Sequence, residues 1–227
     1  NDLKMSYKLK SRWLSSAKYP RKSPYAMTPQ GIVVHNTAGD ASATEEAAAM
    51  VGNSSAVSFH VVIDEEYAVE CIPFSRNAFH AGDGAQGYAN RNLIGIEIAR
   101  SAEESGDRFR RAEENAALYI AHVCVQYGWT SAQLHQHNWY SATECPHRTK
   151  THWSDFLAKV DENIATIKAS SEDHPAPSAP QVTLIALGKA LDVPAENRNG
   201  TVYAPVRALC EALGFDVEWK DGEVMIA

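Results

Sequence analysis

Fourteen residues, "HQHNWYSATECPHR" at 135–148, hold three histidines and a cysteine. Neutral imidazole and thiolate are the soft donors that zinc takes, so His135, His137, Cys145 and His147 are all candidate ligands. A catalytic zinc keeps three protein ligands and one open position. His137 and Cys145 lie eight residues apart, too far for a pair on one helical turn, but suited to a strand end followed by a loop that folds back. His135 and His137 are two apart and face the same side of a strand, so spacing leaves either as the ligand. His147, after Pro146, is a third local donor or a surface residue. A ligand from outside the segment would tie it to the body of the protein. His35, at the polar end of "GIVVHN", is well placed for this, because an apolar strand can hold the backbone while its end presents the imidazole. His60 in "SFHVVID" and His80 in "FHAGDG" are the other candidates.

Glu97 is the second chemical signal. "NLIGIEIA" at 92–99 places one carboxylate inside an apolar run. A buried carboxylate is costly unless it is paired or ligated. It is either a structural partner of an arginine or backbone cap, or a general acid or base with a tuned pKa. Beside a metal that acidifies water, it would be the proton shuttle of a hydrolase.

These residues need elements to hold them. "GIVVHN" (31–36) and "NLIGIEIA" read as buried strands. "VSFHVVID" (57–64) and "YAVECIP" (67–73) flank a short polar turn and read as a hairpin. Ser42 and Glu45 form an S-x-x-E capping box ahead of "EAAAMVG", and Gly52 suits the C′ position that ends the helix. "RAEENAALYIAHVCVQYG" (111–128) carries Ala116, Ile120, Val123 and Tyr127 on one stripe, with Gly128 as its stop. Trp153, Phe156, Leu157, Val160, Ile164 and Ile167 recur at helical spacing. The alternation predicts an α/β fold, a mixed central sheet flanked by helices.

"SSEDHPAPSAP" (170–180) breaks this pattern, since it is rich in Ser, Pro and Ala and has no large apolar residue. It reads as a semi-stiff linker between residues 1–169 and a small α+β domain at 181–227. In that domain "TVYAPVRALCEALG" reads as a strand entering a helix that Gly214 ends. "FDVEWKDGEVMIA" alternates around Asp221-Gly222, a hairpin signal. The domain has four basic and seven acidic residues, a formal charge of −3, and no cluster of catalytic residue types. A binding or spacer module is expected.

The 227 residues are 44% hydrophobic and 22% charged, ordinary for a globular protein, with a formal charge of −7. Residues 1–22 oppose that charge with seven Lys/Arg against one Asp, and read as a solvated, partly ordered basic arm rather than as a docking surface for an anionic partner. No apolar run approaches the roughly 20 residues of a membrane helix, and none at the start resembles a secretory signal. Four cysteines are too few for a disulfide framework. Cys71 and Cys124 fall on apolar faces and read as core residues.

"IVVHNTAG", "SFHVVID", "FHAGDG", "IGIEIA" and "HNWYSATECPHR" together resemble the zinc-dependent N-acetylmuramoyl-L-alanine amidases of the phage-endolysin type, which share their fold with the peptidoglycan recognition proteins. The resemblance covers roughly residues 25–168, in the family's order. It implies a zinc hydrolase acting on bacterial peptidoglycan, at the amide between N-acetylmuramic acid and L-alanine. By resemblance His35, His137 and Cys145 hold the zinc, Glu97 is the general base and acid, and Asn36 and His80 lie at the substrate cleft. Many phage members place a Lys two residues before the zinc cysteine. Here that residue is Thr143, whose hydroxyl can donate one hydrogen bond to the oxyanion but brings no charge. Some members place a Tyr where Phe59 stands. "NGTVYAPVRALCEALGFDVEW" resembles the small N-terminal domain of some bacterial copper amine oxidases. The resemblance implies action at the cell wall; the lack of an apparent signal peptide favours a phage lysin made in the host cytoplasm over a bacterial autolysin, and no nucleic-acid partner and no membrane span are expected. The competing readings are a peptidoglycan-binding protein without activity and a zinc peptidase acting on the stem peptide.

Overall fold

The computed structural model describes residues 7–172 and, beyond them, residues 184–186, 189–191, 196–198, 201–203, 209–210, 217–220 and 223–226. Six strands form one mixed sheet: β1 (Lys8–Ser11), β2 (Gly31–Asn36), β3 (Val61–Ile63), β4 (Tyr67–Glu70), β5 (Leu93–Ile98) and β6 (Leu134–Gln136). Their spatial order is β1-β4-β3-β5-β2-β6. The four strands β3, β5, β2 and β6 run parallel, while β4 is antiparallel to β3 and parallel to β1. The helices are α1 (Tyr19–Lys22), α2 (Ala43–Gly52), α3 (Tyr88–Asn92), α4 (Asp107–Tyr127) and α5 (Trp153–Glu172).

The two apolar strands are central because they are covered on both faces, the arrangement that near-continuous apolar strands require. Ile32, Val34, Ile94, Ile96 and Ile98 share a core with Phe109, Ala116 and Ile120 of α4 and with Phe156, Val160 and Ile164 of α5. Val33 and Leu93, which alternate with them, pack on the opposite face against Ala89 of α3. Val62 packs on Ala43, Ala47 and Met50 of α2. The sheet is thus sandwiched between α4 and α5 on one side and α2 and α3 on the other. Period-two alternation carries His35 and Glu97 onto the α2 and α3 face.

Local signals explain most boundaries. The Ser42–Glu45 capping box forms in both directions. Gly128 ends α4 in the left-handed conformation, with φ of 70°. Gly52 does not act as a C′ residue: α2 ends on Asn53 in extended conformation, and Lys18 Nζ takes up the carbonyls of Val51 and Gly52 instead. A cation there complements the negative end of the helix. The hairpin forms as β3 and β4, but Val57–His60 is not strand. His60 N–H donates to Gly95 O, and Ser58 Oγ bonds Lys22 O and Phe79 N, so this stretch is held by loops.

Residues 7–22 are mostly exposed, as expected of a solvated arm, but they are built into the fold rather than partly ordered. Lys8–Ser11 adds the edge strand to β4, Leu14 is buried, and Lys22 is buried with its ammonium on Asn53 Oδ1 and Val57 O. Charge counting misses this because a lysine stem packs like an apolar chain when its head finds oxygens.

The chain divides into two units, residues 1–170 and 171–227. α5 runs into the Ser/Pro/Ala-rich segment as far as Glu172; residues 173–180 of the expected linker lie outside the described residues. In the second unit β7 (Leu184–Ala186) pairs with β8 (Lys189–Leu191), and β9 (Glu196–Arg198) with β10 (Thr201–Tyr203). β11 (Val217–Lys220) pairs with β12 (Glu223–Ile226), with Lys220 opposite Glu223, the register of a two-residue hairpin loop. Residues 209–210 are helical, and Gly214 lies outside the described residues. No helix among the described residues is long and apolar enough to cross a membrane.

Candidate metal centre and active site

β2 and β5 end together, with His35 in register with Glu97. His35 Nδ1 lies 4.0 Å from Glu97 Oε1. Crevices at the carboxyl ends of parallel strands are where open α/β sheets place their chemistry. β6, on the other side of β2, stops at Gln136 and tightens into a 3-10 turn over His137–Trp139. That turn brings His137 Nδ1 to 3.1 Å from His35 Nδ1. Cys145 arrives on the loop that follows, its Sγ 3.8 Å from His35 Nδ1 and accepting the Asn36 N–H at 3.3 Å. The three ligand atoms of His35, His137 and Cys145 all lie within 4.8 Å of one another, a group that could hold a metal ion.

The donor set fits a tetrahedral zinc. With metal–nitrogen bonds of about 2.0 Å and metal–sulfur bonds of about 2.3 Å, tetrahedral angles set nitrogens about 3.3 Å apart and nitrogen and sulfur about 3.5 Å apart. The observed 3.1 Å and 3.8 Å bracket those values.

Electrostatics point the same way. Burial, together with His80 and His137, holds His35 well below the usual histidine range, so the ring is neutral, the form in which an imidazole can bind a metal. Burial, helped by the charge of Glu46, pushes the Glu97 carboxyl up to about 8. Burial and then Glu97 push the Cys145 thiol up to about 12. A divalent cation among these groups opposes both upward shifts. Glu97 retains 17% side-chain exposure, enough to meet solvent and substrate.

Two expected cleft residues are occupied elsewhere. Asn36 is 6% exposed. Its Nδ2 donates to Thr149 Oγ1 and His35 O, and its Oδ1 accepts from the backbone N–H of Arg148 and Thr149. It clamps the Cys145 loop to β2 rather than offering a polar atom to substrate. His80 is 7% exposed, with Nδ1 on His35 Nε2 and Nε2 on Leu93 O, both at 3.0 Å. Both of its ring nitrogens are taken up by these partners.

The remaining candidates separate. His135 and His137 do not share a strand face, because the strand ends between them; His135 Nδ1 bonds Tyr140 Oη at 2.8 Å. His147 is exposed. His60 is fully buried, with Nδ1 accepting Gly95 N–H and Nε2 on Arg76 O. Thr143 is half-buried beside the centre, where its Oγ1 accepts the Cys145 N–H at 3.3 Å and keeps a hydroxyl proton to donate.

Sequence reasoning missed Thr149, Arg148, Ser141 and the Leu93 carbonyl as supports of the site. One signal was available. Gly95 sits in the middle of an apolar strand, and such a glycine marks a close approach. A Cβ there would lie 2.6 Å from the His80 ring.

A family profile described as N-acetylmuramoyl-L-alanine amidase matches residues 25–148, and one described as copper amine oxidase N-terminal domain matches residues 157–227. N-acetylmuramoyl-L-alanine amidase XlyB of Bacillus subtilis (strain 168) is 37% identical over 162 residues, which are 70% of this chain and 51% of XlyB. The match thus spans about half the length of that relative. The solved structure of PlyL is 37% identical with a TM-score of 0.65, covering 68% of this chain and 97% of that one. A mutant endolysin from Bacillus subtilis is 30% identical with a TM-score of 0.62, covering 68% and 99%.

Proposed function

The chain belongs to the N-acetylmuramoyl-L-alanine amidase family, and from that premise we propose that it is a zinc hydrolase cleaving the amide between N-acetylmuramic acid and L-alanine in bacterial peptidoglycan. The observation that carries this reading is the convergence of two imidazole nitrogens and a thiol within 4.8 Å, with a carboxylate oxygen 4.0 Å from one of them. His35, His137 and Cys145 would hold the zinc. When bound it supplies a Lewis acid that acidifies water and polarises the scissile carbonyl.

The chain's own residues carry the proton. Glu97 removes a proton from the attacking water as the water oxygen bonds to the lactyl carbonyl carbon. The Thr143 hydroxyl donates one hydrogen bond to the oxygen that gains charge. The carbon–nitrogen bond then breaks, and Glu97 returns its proton to the departing alanine nitrogen. The Asn36 N–H supports the Cys145 sulfur as thiolate, since a hydrogen bond to the charged form favours it.

Residues 1–169 form the catalytic domain in this proposal, and residues 181–227 serve as a wall-binding or spacer module joined through 170–180. Action at the bacterial cell wall, as a phage lysin, is part of the same reading, supported by the likeness to a solved endolysin. Digestion of purified peptidoglycan tests it. New N-terminal alanine without new reducing sugar is the expected product. Cleavage inside the peptide makes the protein a peptidase, and retained binding without product makes it a recognition module.

A further inference from the structure

His80 is not among the candidate ligands, yet both of its ring nitrogens are engaged beside them. Its backbone N–H donates to Asn90 Oδ1 at 2.8 Å, an acceptor shared with Ala81 N–H. Its ring lies on Gly95, where any Cβ would intrude to 2.6 Å. Burial disfavours the charged ring, and a neutral imidazole has one N–H and one lone pair. Leu93 O, 3.0 Å from Nε2, can only accept, so the proton of His80 sits on Nε2. Nδ1 is then an acceptor, and its partner His35 Nε2, at 3.0 Å, must donate. That leaves His35 Nδ1 as a bare lone pair, 3.1 Å from His137 Nδ1 and 3.8 Å from Cys145 Sγ.

His137 is less constrained: its Nε2 lies 3.1 Å from Ser141 Oγ, a hydroxyl that can donate or accept, so the His137 proton fits either ring nitrogen. The bare His35 Nδ1 can accept the His137 Nδ1–H at 3.1 Å, and when His137 carries its proton on Nε2 both Nδ1 lone pairs are open to a cation. We propose that His80 is a positioning residue: by relaying the Leu93 carbonyl, it locks His35 in the Nε2–H tautomer and so presets Nδ1 for the metal. The inference deepens the zinc reading of His35, His137 and Cys145 and rests on it. Partners of this kind orient ligating imidazoles and raise their basicity.

Two measurements on the full chain test it. In metal-free wild-type protein, nitrogen NMR of the histidine rings should show His35 protonated at Nε2 and bare at Nδ1; a proton on Nδ1 overturns the proposal, with no substitution needed. Zinc titration against a competing chelator should then show His80→Phe binding about 10- to 100-fold more weakly than wild type. His80→Gln, whose amide can both accept and donate, should recover part of that loss. Wild-type affinity in a folded His80→Phe variant refutes the positioning role while leaving the metal site intact. A wild-type chain that takes up no zinc refutes the metal reading, and this inference with it.

Discussion

Glu97 Oε1 stands 4.0 Å from His35 Nδ1 across the paired strands β5 and β2. The two residues are in register, so sheet hydrogen bonding holds the carboxylate beside the imidazole. Replacing the carboxylate by an amide of the same shape should keep the ligands and remove the base. Glu97→Gln is expected to bind zinc stoichiometrically and lose about 10²- to 10⁴-fold in turnover. Metal analysis and release of N-terminal alanine check it, and full lysis by this variant would remove Glu97 from the mechanism.

Asn36 ties two backbone N–H groups of the Cys145 loop to β2. Asn36→Ala leaves those donors without their acceptor, at about 1–3 kcal/mol for each buried group. A loss of about 2–4 kcal/mol in urea unfolding is expected, with weaker zinc binding as the Cys145 loop loosens. Unchanged stability combined with a raised KM would return Asn36 to the substrate cleft.

Gly95 gives His80 its place. Gly95→Ala puts a methyl 2.6 Å from the imidazole. Overpacking of this kind costs about 1–3 kcal/mol. Zinc affinity should fall along with stability, because the displaced ring is the one bonded to His35. Loss of stability at constant zinc affinity would separate Gly95 from the metal site.

His60 is neutral in the fold, its pKa lowered by burial to about 4 from an ordinary 6.5. Between these values the unfolded chain binds the extra proton, so stability rises with pH. The contribution is fully present above pH 6.5 and is lost as pH falls through that window toward 4. The loss is on the order of 3 kcal/mol, to which the similarly lowered His80 adds in the same direction. Urea midpoints of metal-free protein at pH 7.5, 6.0 and 5.0 should decline, and His60→Phe should flatten that slope; an equally steep slope in the variant contradicts the assignment.

Much of the site was legible before folding. "GIVVHN" and "NLIGIEIA" announce covered strands whose polar ends carry His35 and Glu97, because a continuous apolar run has few other homes. The Ser42–Glu45 box and Gly128 marked helix ends through interactions within a few residues. The errors arose where a longer reach decided the outcome. Gly52 did not take the left-handed turn because Lys18, far off in sequence, supplied the cap. The basic arm became an edge strand because β4 offered it a free edge.

Sequence by itself determined which residue types gather near the chemistry and the alternation that turns His35 and Glu97 to one face. Only the tertiary structure decided what each histidine does. His135 and His137 differ by where β6 stops, and His80 and Asn36 became supports because their partners, Leu93, His35, Arg148 and Thr149, arrive from other elements. A side chain's role depends on which nitrogen or oxygen meets it across space. Those encounters join residues up to 113 positions apart, a separation that no local pattern records.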